Sequence, residues 1–355
     1  MPFRSLFRKP PLVSTSSDGQ IVSRDVENEA ELVCTTRRRL SAVSVECGFE
    51  SDGALKIESG SVAELVEYRI GSVRSVGTTS LAGHVPTNPN KVNQDRFWVT
   101  ELHEKSGSRS KFCGVADGHG VHGHHVAEMV RTQLAIHVEK QLPLYAEIRA
   151  VLTNSFLRMN KDIMESYLDV SFSGAAAVAI LIKDKKIYCA NLGDSRAILG
   201  SHHGSDWKII PLSRDHKPDL AEELLRINRS GGRVAAYRSH KGDALGPARV
   251  WLKTRDVPGL AMSRSFGDKV AATVGVVGEP EIIEHTLKPE DKIVVIASDG
   301  VWEFLTNDEV LKLILPFYKS GDARAAADCV CKEAVDRWKS HEEVIDDITA
   351  LILFL

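Results

Sequence analysis

Three apolar runs constrain the fold of this chain more than any other feature. Residues 177–182, 294–297 and 348–355 are too continuously apolar to be strands with one wet face. Runs of this kind belong to sheets covered on both sides, which requires further layers of structure. Helical stripes lie between them. Val126, Met129, Val130, Leu134 and Val138 recur at three- and four-residue steps, as do Ile148, Leu152, Phe156, Met159, Ile163 and Tyr167. Thr306 with Glu309 forms a capping box ahead of Val310, Leu313 and Ile314, and a further helix is expected over residues 322–338. Strands and helices come in segregated blocks, so the expected class is α+β with mainly antiparallel pairing.

With 355 residues the chain has room for one large domain and an appendage, or for two small domains. A formal charge of −3 carries no footprint for nucleic acid, and no apolar run reaches the ~20 residues of a membrane span. The six cysteines are scattered, and Cys113 and Cys189 sit inside strand-like runs, which reads as buried thiols in a reducing compartment. Cys329-x-Cys331 has the wrong spacing for a zinc half-site and is assigned to helix packing. Residues 1–68 show little periodicity and read as a disordered tail. Arg37-Arg38-Arg39-Leu40-Ser41 within it resembles a basic-directed kinase site, and Pro2 rules out the usual myristoylation signal. The expected compartment is cytoplasm or nucleus, with organelle targeting by the basic N-terminus left open.

Acids stand at the ends of the apolar runs. One run delivers Asp117-Gly118-His119-Gly120, a second ends at Asp299-Gly300, Asp95 precedes Phe97-Trp98-Val99, and Asp346-Asp347 opens the last strand. An Asp-Gly pair taken singly is a favoured hairpin turn. Four such acids at strand edges instead point to a shared polar site. Half-buried carboxylates repel one another unless a cation neutralises them, and an all-oxygen donor set suits Mg²⁺ or Mn²⁺. His119 is the candidate proton donor, because imidazole titrates near neutral pH. His122, His124 and His125 match no zinc spacing, and His124 and His125 are expected on different faces of a starting helix. Residues 213–258 carry many arginines around Gly231-Gly232 and read as a basic, partly irregular excursion.

From about Ile70 to Leu355 the chain resembles the metal-dependent Ser/Thr protein phosphatases of the 2C family, particularly plant-type members. The resemblance rests on blocks in family order: Asn93-Gln94-Asp95, residues 115–120, Gly193-Asp194-Ser195-Arg196, Asp215-His216-Lys217-Pro218, Ser263-Arg264-Ser265-Phe266-Gly267-Asp268, Ser298-Asp299-Gly300 and Asp346-Asp347. It implies an αββα sandwich of two antiparallel sheets between helix layers, with residues 69–355 as the catalytic domain and 213–258 as its flap. It also implies two Mn²⁺ or Mg²⁺ ions held by Asp95, Asp117, the Gly118 carbonyl, Asp299 and Asp346. On this reading a metal-bridging water attacks phosphoserine or phosphothreonine, and His119 protonates the leaving alkoxide. The implied partners are phosphorylated proteins, and a monomer is expected.

This sequence departs from the family pattern at several positions. Gln94 stands where many members carry an acid, and Asn90 where many carry a phosphate-holding Arg, which leaves Lys91 as the candidate phosphate ligand. Gly174-Ala175-Ala176-Ala177 lacks two usual hydroxyls, and Ala116 replaces a commoner aromatic. Ser171 replaces an acid that some members use for a third ion, with Asp169 as a nearby substitute. Two rival readings share these residues: a pseudophosphatase scaffold that binds without turnover, and a hydrolase of small phosphoesters.

Overall fold

The computed structural model describes residues 73–103, 109–238 and 243–355. The tail at 1–68, Ser41, Cys34, Cys47 and residues 69–72 lie outside the described residues, as does most of the polar turn after His103. Three strands come first, β1 (Ser75–Leu81), β2 (Arg96–His103) and β3 (Arg109–His119). Two helices follow, α1 (Gly123–Gln141) and α2 (Ile148–Met164). A meander then runs through β4 (Gly174–Lys183), β5 (Lys186–Leu192), β6 (Arg196–His203) and β7 (Asp206–Pro211). The basic excursion is more regular than expected: α3 (Ala221–Arg229), β8 (Gly232–Arg238), β9 (Ala244–Leu252) and β10 (Pro258–Leu260). Short β11 (Phe266–Gly267) and α4 (Lys269–Ala272) lead to β12 (Glu281–Thr286) and β13 (Asp291–Ala297). The chain closes with α5 (Asp299–Trp302), α6 (Asn307–Tyr318), α7 (Ala323–His341) and β14 (Ile348–Phe354).

Two antiparallel sheets face each other, ordered β1-β14-β13-β6-β7 and β12-β5-β4-β3-β2, with β11 added on β4. Strand alternation explains the continuously apolar runs. In β4, Val178, Ile180 and Ile182 point into the inter-sheet core, where they meet Val294, Ile296, Leu351 and Leu353 of the opposite sheet. The intervening Ala175, Ala177, Ala179 and Leu181 face the other way and pack with Val130, Leu134, Phe156 and Met159 of α1 and α2. In the second sheet Ile293, Val295, Ile348, Ala350 and Ile352 pack with Val310, Ile314, Val330 and Cys331 of α6 and α7. Helix, sheet, sheet, helix is therefore the observed layering. It matches the αββα expectation.

Local chemistry accounts for most element ends. Thr306 accepts from the Glu309 backbone at 3.3 Å while the Glu309 carboxylate takes the Thr306 N–H at 2.9 Å, so the expected capping box opens α6. Cys331 is buried and Cys329 half-buried on α7, which agrees with packing. Two expectations need correction. Tyr167 is 98% exposed because α2 stops at Met164, three residues before the apolar period would have used it. The rings of His124 and His125 lie 3.9 Å apart, so their side chains converge instead of diverging.

The excursion forms a three-stranded sheet, β10-β9-β8, with a small core of Ile227, Val250, Val274 and Val276. Trp251 anchors it, donating Nε1–H to the Ala235 carbonyl at 2.8 Å beneath the Arg233 guanidinium. Part of its positive charge is committed to structure, since Arg226 binds Glu223 at 2.6 Å and Arg214 binds Glu281 at 2.8 Å.

Candidate metal centre and phosphate site

Neither Asp-Gly pair is a hairpin turn. Asp117 and Gly118 continue the β3 ladder opposite Ala176 and Ala175, and Asp299-Gly300 opens α5 directly after β13. Because Arg96 pairs with Ala116, Asp95 stands just beyond β2 at the same sheet edge as Asp117. Ala297 pairs with Ala350, so Asp299 and Asp346 flank the matching edge of the second sheet. The sandwich thus gathers at one end the four acids expected there.

The field at this edge is strongly negative. Burial, then the neighbouring Asp299, Asp95 and Asp346, push the Asp117 carboxyl well above the ordinary carboxylate range. Asp299 is raised in the same way, by burial and then by Asp194 and Asp346. Asp95 is pushed to about 7 by burial and Asp347, against the opposing hydrogen bonds of Thr349 and Ser298. Asp346 is raised too, by the protein around it and by Asp347, with Lys91 pulling the other way. Its surface opens to solvent, so screening weakens the effect there.

Among the described residues, no three acidic, histidine or cysteine side chains are drawn together tightly enough to form a ready-made metal cluster. The residues at this edge nevertheless fit a hard divalent cation. Asp95 Oδ1 is buried without a hydrogen-bond partner, an expensive state for a carboxylate oxygen. Mutually repelling acids are relieved by a cation more than by any neutral group. At Gly118 any Cβ would collide with the Gly123 carbonyl and crowd the Gln94 oxygen at 2.9 Å, so only glycine can hold the backbone there.

The terminal acid pair divides its work. Asp346 adds to the charge of the cluster, whereas Asp347 is 3% exposed and fastens two other segments. It accepts the Gly83 N–H at 2.7 Å and the Gln94 N–H at 2.9 Å, and pairs with Lys91. The structure thus sets Lys91 against Asp347 at the rim of the cluster. Gln94 turns its amide to the Gly120 carbonyl, with Nε2 donating at 2.8 Å. An ionised Glu at this position could not make that bond, which gives the departure at residue 94 a structural role.

His119 closes β3 two residues beyond Asp117. Its Nε2 is 2.7 Å from Asp268 Oδ2, which also accepts from Ser265 Oγ at 2.6 Å. Burial opposes charge on the ring, but Asp268, with help from Asp194 and Asp346, holds its pKa above the ordinary histidine value. His119 Nδ1 has no hydrogen-bond partner in the protein.

Sequence reasoning missed several residues of this site. Asp194 lies close enough to raise Asp299, Asp346 and His119, and it binds Lys217 Nζ at 2.6 Å. Its signal was present: Gly193-Asp194 closes an apolar strand just as the other acids do. The Gly193 N–H donates to His216 Nδ1 at 3.1 Å, so a fully buried histidine holds that turn. Asp268 and Ser298, whose hydroxyl donates to Asp95 at 2.7 Å, lie within motifs whose spacing names no partner for either. Asp169 accepts the Ser171 N–H at 3.0 Å on the outer surface, while Asp194 occupies the place beside the cluster. Arg196 is bound by both oxygens of Asp215 at 2.9 and 2.7 Å and by Asn307 at 2.9 Å.

A sandwich of this layering, with carboxylates and one histidine at the sheet edge, defines a hydrolase-type polar centre suited to a divalent ion. Comparison with known proteins specifies it. Residues 87–342 match the family Protein phosphatase 2C. The chain is 35% identical over 315 residues to "Probable protein phosphatase 2C 72" of Arabidopsis thaliana, covering 84% of this chain and 89% of that protein. It is 32% identical over 289 residues to "Probable protein phosphatase 2C 35" of the same plant, covering 77% and 82%. Among solved structures it resembles a serine-threonine phosphatase 2C from Toxoplasma gondii, with a TM-score of 0.68 at 19% identity over 79% of this chain and 94% of that one. The chain belongs to the protein phosphatase 2C family of metal-dependent Ser/Thr protein phosphatases.

Proposed function

We propose that this chain removes phosphate from phosphoserine and phosphothreonine in proteins by direct attack of water, with residues 69–355 acting as a monomeric unit. The observation that carries the reading is the gathering of Asp95, Asp117, Asp299 and Asp346 at one sheet edge beside a histidine fixed by Asp268. Asp95, Asp117, Asp299, Asp346 and the Gly118 carbonyl would hold two Mn²⁺ or Mg²⁺ ions. When bound, such ions acidify water and offset charge developing at phosphorus.

The remaining chemistry belongs to the side chains. Asp268 fixes His119 through Nε2, and the buried, unpartnered Nδ1 would give its proton to the departing serine or threonine oxygen once substrate or a water reaches it. A raised pKa keeps that proton on the ring near neutral pH, where a donor is needed. Lys91, its Nζ buried against Asp347, and Lys217, bound to Asp194, place positive charge beside the acids and would act on phosphate only as point charges. Among the described cysteines, burial pushes the Cys113 thiol up to about 12 and raises Cys189 and Cys331 as well, so these three are poor nucleophiles.

Titration of the full chain with Mn²⁺ against a phosphothreonine peptide tests the reading. Phosphate release that saturates with metal and vanishes in D117N is expected. Saturable metal binding without release would instead favour the scaffold reading, and faster turnover of sugar phosphates than of peptides would favour the small-ester reading.

A further inference from the structure

Two large apolar side chains stand exposed beside the proposed proton donor. Val121 is 79% exposed and Phe172 is 53% exposed. They belong to segments 51 residues apart in sequence that the fold binds to each other, since the His122 N–H donates to Ser173 Oγ at 3.0 Å. A side chain at Gly120, whose φ is +80°, would collide with the Phe172 carbonyl, so the two backbones touch between Val121 and His119. The same segment also reaches the site through Asp268. Ser173 accepts the Asp268 N–H at 3.0 Å, and Asp268 holds His119. Gln94 Nε2 fixes the Gly120 carbonyl at 2.8 Å. Val121 and Phe172 are therefore carried on backbone clamped at several points around the catalytic histidine.

Exposed apolar residues scattered singly need no explanation, but two joined beside a reaction centre do. A phosphoprotein that presents its phosphoester oxygen to His119 brings its neighbouring residues towards this rim. Extended chain advances ~3.3 Å per residue, so the neighbours of the phosphoresidue pass within reach of the pair. A rim already fixed by hydrogen bonds loses little freedom when a substrate covers it. We propose that Val121 and Phe172 form an apolar subsite that takes a large aliphatic or aromatic side chain lying one to three residues from the phosphoresidue. The proposal rests on the phosphatase reading and adds a substrate class to it: phosphosites flanked by an apolar residue, as opposed to purely polar ones.

The test uses the full chain with Mn²⁺ and phosphothreonine peptides that carry Leu or Ser at each of the three positions on either side. p-Nitrophenyl phosphate, which has no flanking residues, serves as control. The wild-type protein should favour at least one Leu peptide about tenfold in kcat/KM over its all-Ser counterpart. V121S/F172S should lose that preference and keep turnover of p-nitrophenyl phosphate. F172S alone should lose part of it, which covers the case in which the double variant does not fold. Equal kcat/KM for all peptides in the wild-type protein, or a preference that survives in folded V121S/F172S, overturns the subsite while leaving the phosphatase reading intact. Failure to turn over p-nitrophenyl phosphate and every peptide overturns the phosphatase reading, and the subsite with it.

Discussion

His119 Nε2 and Asp268 Oδ2 lie 2.7 Å apart, joining β3 to a residue 149 positions further along the chain. Asp268 adopts φ 49°, a left-handed conformation that Asn tolerates nearly as well as Asp. D268N therefore keeps the shape of the turn and removes the charge that holds the imidazolium. We expect kcat on a phosphothreonine peptide to fall about tenfold or more with little change in KM. H119A should cost about 10² or more, as loss of a proton donor does. Both losses should shrink on p-nitrophenyl phosphate, whose leaving group needs no proton. An equal loss on the two substrates would show that Asp268 merely supports the fold.

Asp117 pays in stability for its place among the acids. Removing one of several mutually repelling carboxylates should relieve the metal-free protein. D117N is expected to melt at the wild-type temperature or above it without metal. Mn²⁺ should raise the melting temperature of the wild-type protein, by about 2.7 kcal/mol of added stability at a hundredfold excess over its dissociation constant, and leave D117N unmoved. Calorimetric melts with and without Mn²⁺ check both halves. A Mn²⁺-dependent rise in D117N equal to that of the wild-type protein would remove Asp117 from the metal site.

How much of this was legible in the sequence depended on the range of each interaction. Sheets covered on both faces could be read because residues 177–182 and 348–354 carry apolar residues on both faces within single strands, whereas the four-layer sandwich came only with the family resemblance. The capping box at Thr306 and Glu309 could be read because it is local. Asp95, Asp117, Asp299 and Asp346 were found because each ends or opens an apolar run. Asp268 was not found, since nothing near residue 268 announces a partner 149 positions away. Likewise no local pattern separates Asp346, which adds to the charge of the cluster, from Asp347, which ties down Gly83 and Gln94. Tyr167 misled because an apolar period can outrun the helix that would use it. The excursion read as irregular because glycines and arginines interrupt its apolar pattern, yet β8 and β9 pair from Gly232 with Leu252 to Arg238 with Ala244.

Gln94 offers a separate test of how the β2 approach is held. Its amide donates to the Gly120 carbonyl, a bond unavailable to a carboxylate. Q94E should destabilise the metal-free protein by about 1 kcal/mol, through the lost bond and added repulsion beside Asp95 and Asp346. With saturating Mn²⁺ the difference should narrow, because the new charge then faces cations. Denaturant melts of both proteins in both conditions decide it. A Q94E protein as stable as the wild type without metal would mean that the Gly120 bond contributes nothing.

His216 should make stability fall in mildly acid solution. Burial and the nearby Arg264 lower its pKa to about 4, against the opposing pull of Glu223 and Glu281. The folded protein keeps the ring neutral because Nδ1 accepts the Gly193 N–H. In the unfolded chain the same ring takes a proton near pH ~6.5. Between these values the unfolded state binds more protons, so the contribution is complete above about pH 6.5 and is lost as pH falls towards 4. The difference corresponds to about 3 kcal/mol across the window. Asp95 works in the opposite sense, since its folded pKa of about 7 favours the folded state as acid is added. A variant comparison separates the two. In H216N an amide oxygen can still accept from Gly193 but does not titrate, so the wild-type protein should lose stability relative to H216N between pH 6.5 and 4. Parallel stability curves for the two proteins over that range would show that His216 is not held neutral by the fold.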